Sequence, residues 1–165
     1  MRNLIFQLMK NFLKPFLGKG LSKFLPTRLI RFVYKIFFSK VQPEVATVGN
    51  NKMFLSSLEA FRLALNDYDV REKFETEYFK NQIKTGMTVL DLGANIGFYT
   101  LLFADLVGKE GRVFAFEPEP NNFTMLEKNV ELNEFKNVTL MRKAVSDKTG
   151  VVSLFLSESM GRHRI

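Results

Sequence analysis

The sequence predicts an α/β fold built on a parallel sheet, and two observations carry that prediction. The runs Thr88–Leu92 (TVLDL) and Arg112–Phe116 (RVFAF) are short and apolar, which is typical of buried parallel strands. Between them, Phe98–Val107 is apolar almost all round, which indicates a buried helix that ends at Gly108. Strand, helix and strand in this order form one βαβ unit, and such units build parallel sheets.

The turn inside this unit is the first candidate binding site. Gly93 and Gly97 bracket the turn, and because glycine has no Cβ, a ligand can approach the backbone closely at both positions. The turn also opens a helix, whose first N–H groups favour an anionic ligand group. Glu117 lies at the carboxyl end of the second strand, where a carboxylate can accept hydrogen bonds from two ribose hydroxyls. Glu119, two residues further on, is expected to point into solvent, so its replacement by alanine should change little. The unit is therefore predicted to bind a nucleoside that carries a carboxylate or a phosphate.

Two ligands fit this description, a nicotinamide dinucleotide and S-adenosylmethionine, and the glycine spacing separates them. Dinucleotide-binding turns read G-x-G-x-x-G. This turn reads D-L-G-A-N-I-G, with Asp91 ahead of two glycines that are four positions apart. A carboxylate so close is unfavourable for a pyrophosphate, whereas it can hold the ammonium of an amino-acid group. The pattern favours S-adenosylmethionine, and a nicotinamide-dependent oxidoreductase is the alternative.

Three segments of the chain carry a family resemblance. VLDLGANIGFYTLLFA, then GRVFAFEPEPNNFTMLEKNVELNEFKNV, then KAVSD resemble the FkbM-type family of class I S-adenosylmethionine-dependent methyltransferases, over roughly residues 53–150. The resemblance implies a Rossmann-like, doubly wound sheet with the cofactor at the carboxyl ends of the strands. It also implies O-methylation of a hydroxyl on a sugar or secondary metabolite, so the expected partner is a small-molecule or glycan acceptor. The expected cofactor-binding residues are Asp91, Gly93, Ala94, Asn95, Gly97, Phe98, Glu117, Pro118, Ala144 and Val145.

The next helix is predicted to begin at Pro120, which suits a first helical turn, and to run to about residue 133. We interpret Asn129 as part of its polar face and Asn133 as its C-terminal cap. Val138–Met141 is the third strand, and residues 151–156 are expected to form one more. The buried stripe of the helix is predicted to comprise Phe123, Leu126 and Val130.

The region ahead of the βαβ unit has weaker signals. Residues 41–52 are predicted to be a linker and residues 52–55 a short strand. Val70, Phe74, Tyr78 and Ile83 mark another helix, which is predicted to end at Gly86. We divide the chain into a basic helical segment with its linker, residues 1–45, and a methyltransferase domain that begins at residue 46.

The basic character of the chain belongs to its N-terminal segment. Residues 1–40 hold nine of the 24 Lys and Arg residues and no acid, which leaves 15 basic and 17 acidic residues elsewhere. Apolar pairs in this segment recur at helical spacing, so two interpretations stay open: contact with an anionic membrane surface, or packing on the domain or a protein partner. No charge-free window of about 18 residues predicts a membrane span. We expect a cytoplasmic protein, with peripheral membrane contact under the first interpretation.

The composition and the end of the sequence bound the function. The chain has no cysteine, so disulfides and thiolate metal sites are excluded; no metal site and no nucleic-acid partner are expected. His163, the only histidine, is interpreted as a surface residue of the tail. The later strands of the FkbM-type family have no counterpart before Ile165, so the domain is expected to be incomplete and inactive alone, and no catalytic base is identified. A non-catalytic, membrane-associated fragment is the third hypothesis.

Overall fold

The computed structural model describes residues 45–54, 73–151 and 153–154. The chain divides into two compact units, one formed by Met1–Ala46 with Phe54–Glu77 and the other by Thr47–Met53 with Tyr78–Ile165. The elements in chain order are β1 (Val45–Val48), β2 (Asn51–Phe54), α1 (Lys73–Gln82), β3 (Thr88–Leu92), α2 (Phe98–Val107), β4 (Arg112–Phe116), α3 (Pro120–Leu132) and β5 (Val138–Met141).

A parallel sheet with the strand order β3-β4-β5 organises the second unit. The register places Leu92 beside Phe116 and Phe116 beside Met141, so the three strands end together. The bounds of β3, α2, β4 and β5 agree with those predicted from the sequence. Because parallel strands share a direction, the loops that follow their carboxyl ends lie along one edge of the sheet.

The hydrophobic core lies between α2 and one face of this sheet. Phe103, Ala104 and Val107 of α2 are buried together with Val113 of β4. From α1, the ring of Phe79 meets the ring of Phe103 edge to face, with centroids 4.9 Å apart. Burial of such side chains is favourable by about 1.5–3 kcal/mol each, so this cluster is a main source of stability for the βαβ unit.

The opposite face of β3 is open. Val89 packs against the core cluster on the α2 side. Because side chains alternate along a strand, Leu90 and Leu92 lie on the other face, where they are 60% and 57% exposed. Among the described residues β3 pairs only with β4, so its second edge is also unpaired.

Helix α3 confirms part of the predicted pattern. Pro120 occupies its first turn, Leu126 and Val130 are buried and Asn133 is the C-terminal cap, as expected. The assignment of Asn129 to a polar face is wrong, because Asn129 is completely buried. A buried amide needs hydrogen-bond partners, and its side-chain nitrogen donates to the carbonyl oxygen of Ile96.

Other predictions outside the βαβ unit are corrected. The predicted linker contains strand β1, and the short strand begins one residue early, at Asn51. Ile83, which directly follows α1, packs against the core as predicted. The predictions for Phe74 and Tyr78 are wrong, because both are exposed. Phe79 contacts the core in their place. Of the strand expected at residues 151–156, the described residues 151, 153 and 154 are not in a strand. The predictions for residues 1–44, for Val70 and for His163 lie outside the described residues.

Candidate functional site

The turn between β3 and α2 has three left-handed positions at alternate residues. Gly93, Asn95 and Gly97 have φ angles of 85°, 53° and 99°. Asparagine adopts positive φ more readily than other residues with a Cβ, so Asn95 occupies a position where glycine would also serve. Asn95 was expected among the site residues, but its left-handed backbone was not predicted; the tolerance of asparagine for positive φ was the available signal.

The two glycines of the turn serve different purposes. A Cβ at Gly93 would meet nothing within 4 Å, so the space beside this exposed residue is open to a ligand. A Cβ at Gly97 would lie 2.7 Å from Cδ1 of Leu126. Gly97 is buried, and the absence of a Cβ there lets α3 pack closely against the start of α2. The approach of a ligand to Gly97 stays a prediction.

Glu117 joins the end of β4 to this turn. Its side chain is 5% exposed; Oε2 accepts a hydrogen bond from the N–H of Asn95 at 2.8 Å, and Oε1 accepts one from the N–H of Glu119 at 2.9 Å. An ionised carboxylate can accept about four hydrogen bonds. The orientation of Glu117 is therefore fixed by two backbone groups, and about two acceptor positions are left for a ligand.

Glu119 does not point into solvent, although the sequence interpretation expected it to. It is 3% exposed and is the N-cap of α3: Oε2 accepts from the N–H of Asn122 at 2.6 Å, and Oε1 accepts from Nδ2 of Asn121 at 3.0 Å. The first N–H groups of a helix lack intrahelical acceptors, and a side chain at the N-cap supplies one. An acid directly before a proline at the first helical position was the available signal.

Asp91 is a second buried carboxylate at this edge. It is 9% exposed, and Oγ1 of Thr100 donates a hydrogen bond to its Oδ2 at 2.5 Å. Burial raises the pKa of Asp91 and the charge of Glu117 adds to the rise, whereas the Thr100 hydrogen bond opposes it. Two carboxylates in a poorly solvated position favour a ligand that brings a positive charge and hydroxyl donors.

The other expected site residues lie in the loops at the same edge. The N–H groups of Gly93 and Ala94 both donate to the carbonyl oxygen of Phe116, so Ala94, which is buried, is part of the turn scaffold. Phe98 begins α2, and Pro118 directly follows Glu117; both are half-buried. Ala144, in the loop after β5, is also half-buried, and its neighbour Val145 is 48% exposed.

Neither a metal cluster nor a membrane span is found in the part of the chain that the structure describes. No group of three or more His, Asp or Glu side chains there could hold a metal ion. No helix in the described ranges is long and apolar enough to cross a membrane.

Comparison with known proteins identifies the family. The model of the TRM5/TYW2 methyltransferase domain matches residues 61–154, which is more than half of the chain. The chain is 32% identical over 59 residues to a protein-L-isoaspartate O-methyltransferase of Methanothrix thermoacetophila, a match that covers 36% of this chain and 28% of the relative. It is 38% identical over 55 residues to protein-L-isoaspartate O-methyltransferase 1 of Arabidopsis thaliana, with 33% and 24% covered.

One solved structure is similar to this chain over a share of the chain comparable to that matched by the two curated relatives. A putative rRNA-methylase from Clostridium thermocellum shares 33% identity with a TM-score of 0.42, over 44% of this chain and 39% of that one. The chain thus spans less than a third of the length of the two curated relatives. Of the two cofactors that the sequence left open, this family uses S-adenosylmethionine, and the fold is Rossmann-like. The chain belongs to the TRM5/TYW2 methyltransferase domain family of class I S-adenosylmethionine-dependent methyltransferases.

Proposed function

We propose that this chain binds S-adenosylmethionine and is the cofactor-binding part of an enzyme that methylates an oxygen atom. The observation that carries the proposal is the Glu117 carboxylate, held at the carboxyl end of β4 by the N–H groups of Asn95 and Glu119. Because its geometry is fixed before any ligand arrives, little side-chain freedom is lost on binding.

The residues at the edge of the sheet fit the parts of this cofactor. Its ribose hydroxyls would donate to Glu117, and its ammonium would lie near Asp91, whose buried charge it offsets. Gly93 leaves open space beside the backbone. Gly97 caps α2 without a side-chain acceptor, so the start of the helix suits the cofactor's carboxylate. Ala144 and Val145, which follow β5, would border the adenine.

The chemistry that the bound cofactor supplies is an electrophilic methyl group on a sulfonium. The residues of this chain bind and orient the cofactor, and orientation contributes much of the rate in such transfers. Asp91 and Glu117 together carry charge opposite to that of the sulfonium and the ammonium. They are thus expected to favour the cationic cofactor over its neutral-sulfur product.

Two acceptor classes are supported by different observations. The resemblance to FkbM-type enzymes favours a hydroxyl on a sugar or secondary metabolite, and this is the acceptor we propose. The identity with protein-L-isoaspartate O-methyltransferases favours a carboxyl group of a protein as the second candidate. Both acceptors are oxygen nucleophiles, so the cofactor site is the same in either case.

Isothermal titration calorimetry on the chain tests the cofactor assignment. We expect saturable binding of S-adenosylmethionine and of S-adenosylhomocysteine, and no binding of NADH at the same concentrations. Binding of NADH in preference to both sulfur compounds would contradict the proposal. The acceptor class is then tested with radiolabelled cofactor and the intact natural protein: label on a glycan or small molecule supports the proposed class, and base-labile label on protein supports the second.

A further inference from the structure

We infer that Asn129 is a positioning residue for the cofactor turn, through a hydrogen bond that holds the backbone between Asn95 and Gly97. The inference rests on the proposed function, since it concerns the same site. Asn129 lies on α3, 33 positions from the residue that it contacts, and is completely buried. Its Nδ2 donates to the carbonyl oxygen of Ile96 at 2.7 Å.

The hydrogen bond from Asn129 holds the left-handed part of the turn. Ile96 stands between two residues with positive φ, Asn95 and Gly97. The N–H of Asn95 is held by Glu117 from the end of β4, and the carbonyl of Ile96 is held by Asn129 from α3. The left-handed turn is thus fixed on both sides by side chains that belong to other elements.

Loss of the Asn129 contact would act on the ligand site through Asn95. Positive φ is unfavourable for a residue with a Cβ, so this conformation persists where the surroundings impose it. Without its partner, the buried carbonyl of Ile96 would turn toward another donor. The N–H of Asn95 would then shift relative to Oε2 of Glu117 and disturb the carboxylate that we assign to the ribose.

Two further asparagines provide matched controls. Asn133 exchanges two hydrogen bonds with the backbone of Lys52, with Nδ2 donating at 2.7 Å and Oδ1 accepting at 2.9 Å. Its Nδ2 also donates to the backbone carbonyl of Asn129, one turn earlier on α3, at 2.7 Å. Nδ2 of Asn137 donates to the carbonyl oxygens of Ala104 and Gly108, at the end of α2. Both bridge separate segments as Asn129 does, but neither reaches the glycine turn.

The test compares Asn129→Ala, Asn133→Ala and Asn137→Ala for melting temperature and for S-adenosylhomocysteine affinity. All three are expected to lower the melting temperature. Only Asn129→Ala should also weaken binding, by at least about tenfold, which corresponds to about 1.4 kcal/mol. Asn129→Leu, which restores the volume without the donor, should weaken binding equally and serves if the alanine variant does not fold. Affinity within about twofold of the parent in a folded Asn129 variant, or equal losses in the controls, overturns the inference.

A measurement without ligand separates this inference from the proposed function. Amide hydrogen exchange should be faster at Asn95 and Gly97 in the Asn129 variants and unchanged there in the two control variants. If the parent chain binds no S-adenosylhomocysteine, the proposed function fails and the positioning role fails with it. If the parent chain binds S-adenosylhomocysteine but exchange at Asn95 is unaltered in the Asn129 variants, the positioning role of Asn129 is refuted while the cofactor assignment stands.

Discussion

The core beneath α2 and the carboxyl edge of the sheet are built on opposite principles. In the core, Phe103, Val107 and Val113 are buried among other apolar side chains. At the edge, Asp91, Glu117 and Glu119 are buried as well, but their partners are hydroxyl and N–H groups. Apolar burial stabilises the chain directly, whereas buried acids require partners and leave a residual cost. Stability and binding therefore reside in different parts of one small unit, so they should respond separately to substitution.

The largest expected effect lies in the core. Phe103→Ala removes a 5% exposed ring that meets Phe79 at 4.9 Å, and such truncations cost about 3–5 kcal/mol. Urea unfolding followed by circular dichroism measures the loss. In the fraction that stays folded, cofactor affinity should be close to that of the parent; a comparable loss of affinity would show that the two regions are not separable.

Glu117→Ala should have the next largest effect, and on binding. Hydrogen bonds to a charged group contribute about 1.5–3 kcal/mol each, so loss of two ribose contacts should weaken S-adenosylmethionine binding by at least tenfold. The substitution also removes the acceptor for the N–H of Asn95, so a lower melting temperature should accompany it. Calorimetry decides: unchanged affinity in a folded Glu117→Ala chain would remove this residue from the site.

Glu119→Ala is the control for Glu117, with a changed expectation. Loss of an N-cap costs about 0.5–2 kcal/mol, so the substitution should destabilise α3 rather than be silent. The hydrogen bond to Glu117 uses the backbone N–H of residue 119 and survives the change. Affinity should therefore change little while stability falls. Melting curves and titrations on the same preparation test this, and a loss of affinity equal to that of Glu117→Ala would argue against separate roles.

The smallest effect is expected at Asp91, where substitution should raise the stability of the chain instead of lowering it. Because burial raises the pKa of Asp91 above its ordinary value of 3.8, the folded chain binds a proton more readily than the unfolded chain. The free energy of unfolding therefore falls as the pH rises from 3.8 through the raised pKa of Asp91. Above the raised pKa, the full cost of burying the charged carboxylate is present. Asp91→Asn removes the charge and keeps an acceptor for Thr100.

Melting temperatures of the Asp91→Asn chain across a pH series test this. The variant should melt above the parent at neutral pH, and the difference should shrink as the pH falls toward 3.8. Binding of S-adenosylmethionine should weaken at the same time, because the ammonium loses a counter-charge. A variant that is less stable than the parent at every pH would contradict the assigned cost of the buried carboxylate.

Much of the fold follows from local signals. The bounds of β3, α2, β4 and β5 were predicted correctly, because each is a short apolar run that a glycine or a polar stretch interrupts. The alternation of these runs determined the parallel sheet, and parallel strands place Asp91 and Glu117 at the same edge. The class of cofactor also followed from the sequence, since it depended on the order and spacing of residues within one βαβ unit.

The tertiary structure alone decided how the site is held. Asn95 joins the glycines because its φ is positive, and Gly97 is required because Leu126 packs where a Cβ would lie. Glu119 and Asn129 are polar residues that were predicted to face solvent, yet both are buried. The partner of Asn129 is a backbone carbonyl of the turn, which only the approach of α3 brings near. The partners of Glu119 lie in the first turn of the helix that it caps, so its role follows from local sequence. The spacing of residues in the sequence indicates which face of a helix a residue lies on. It does not indicate whether another segment packs on that face, which decides whether the residue is exposed or buried.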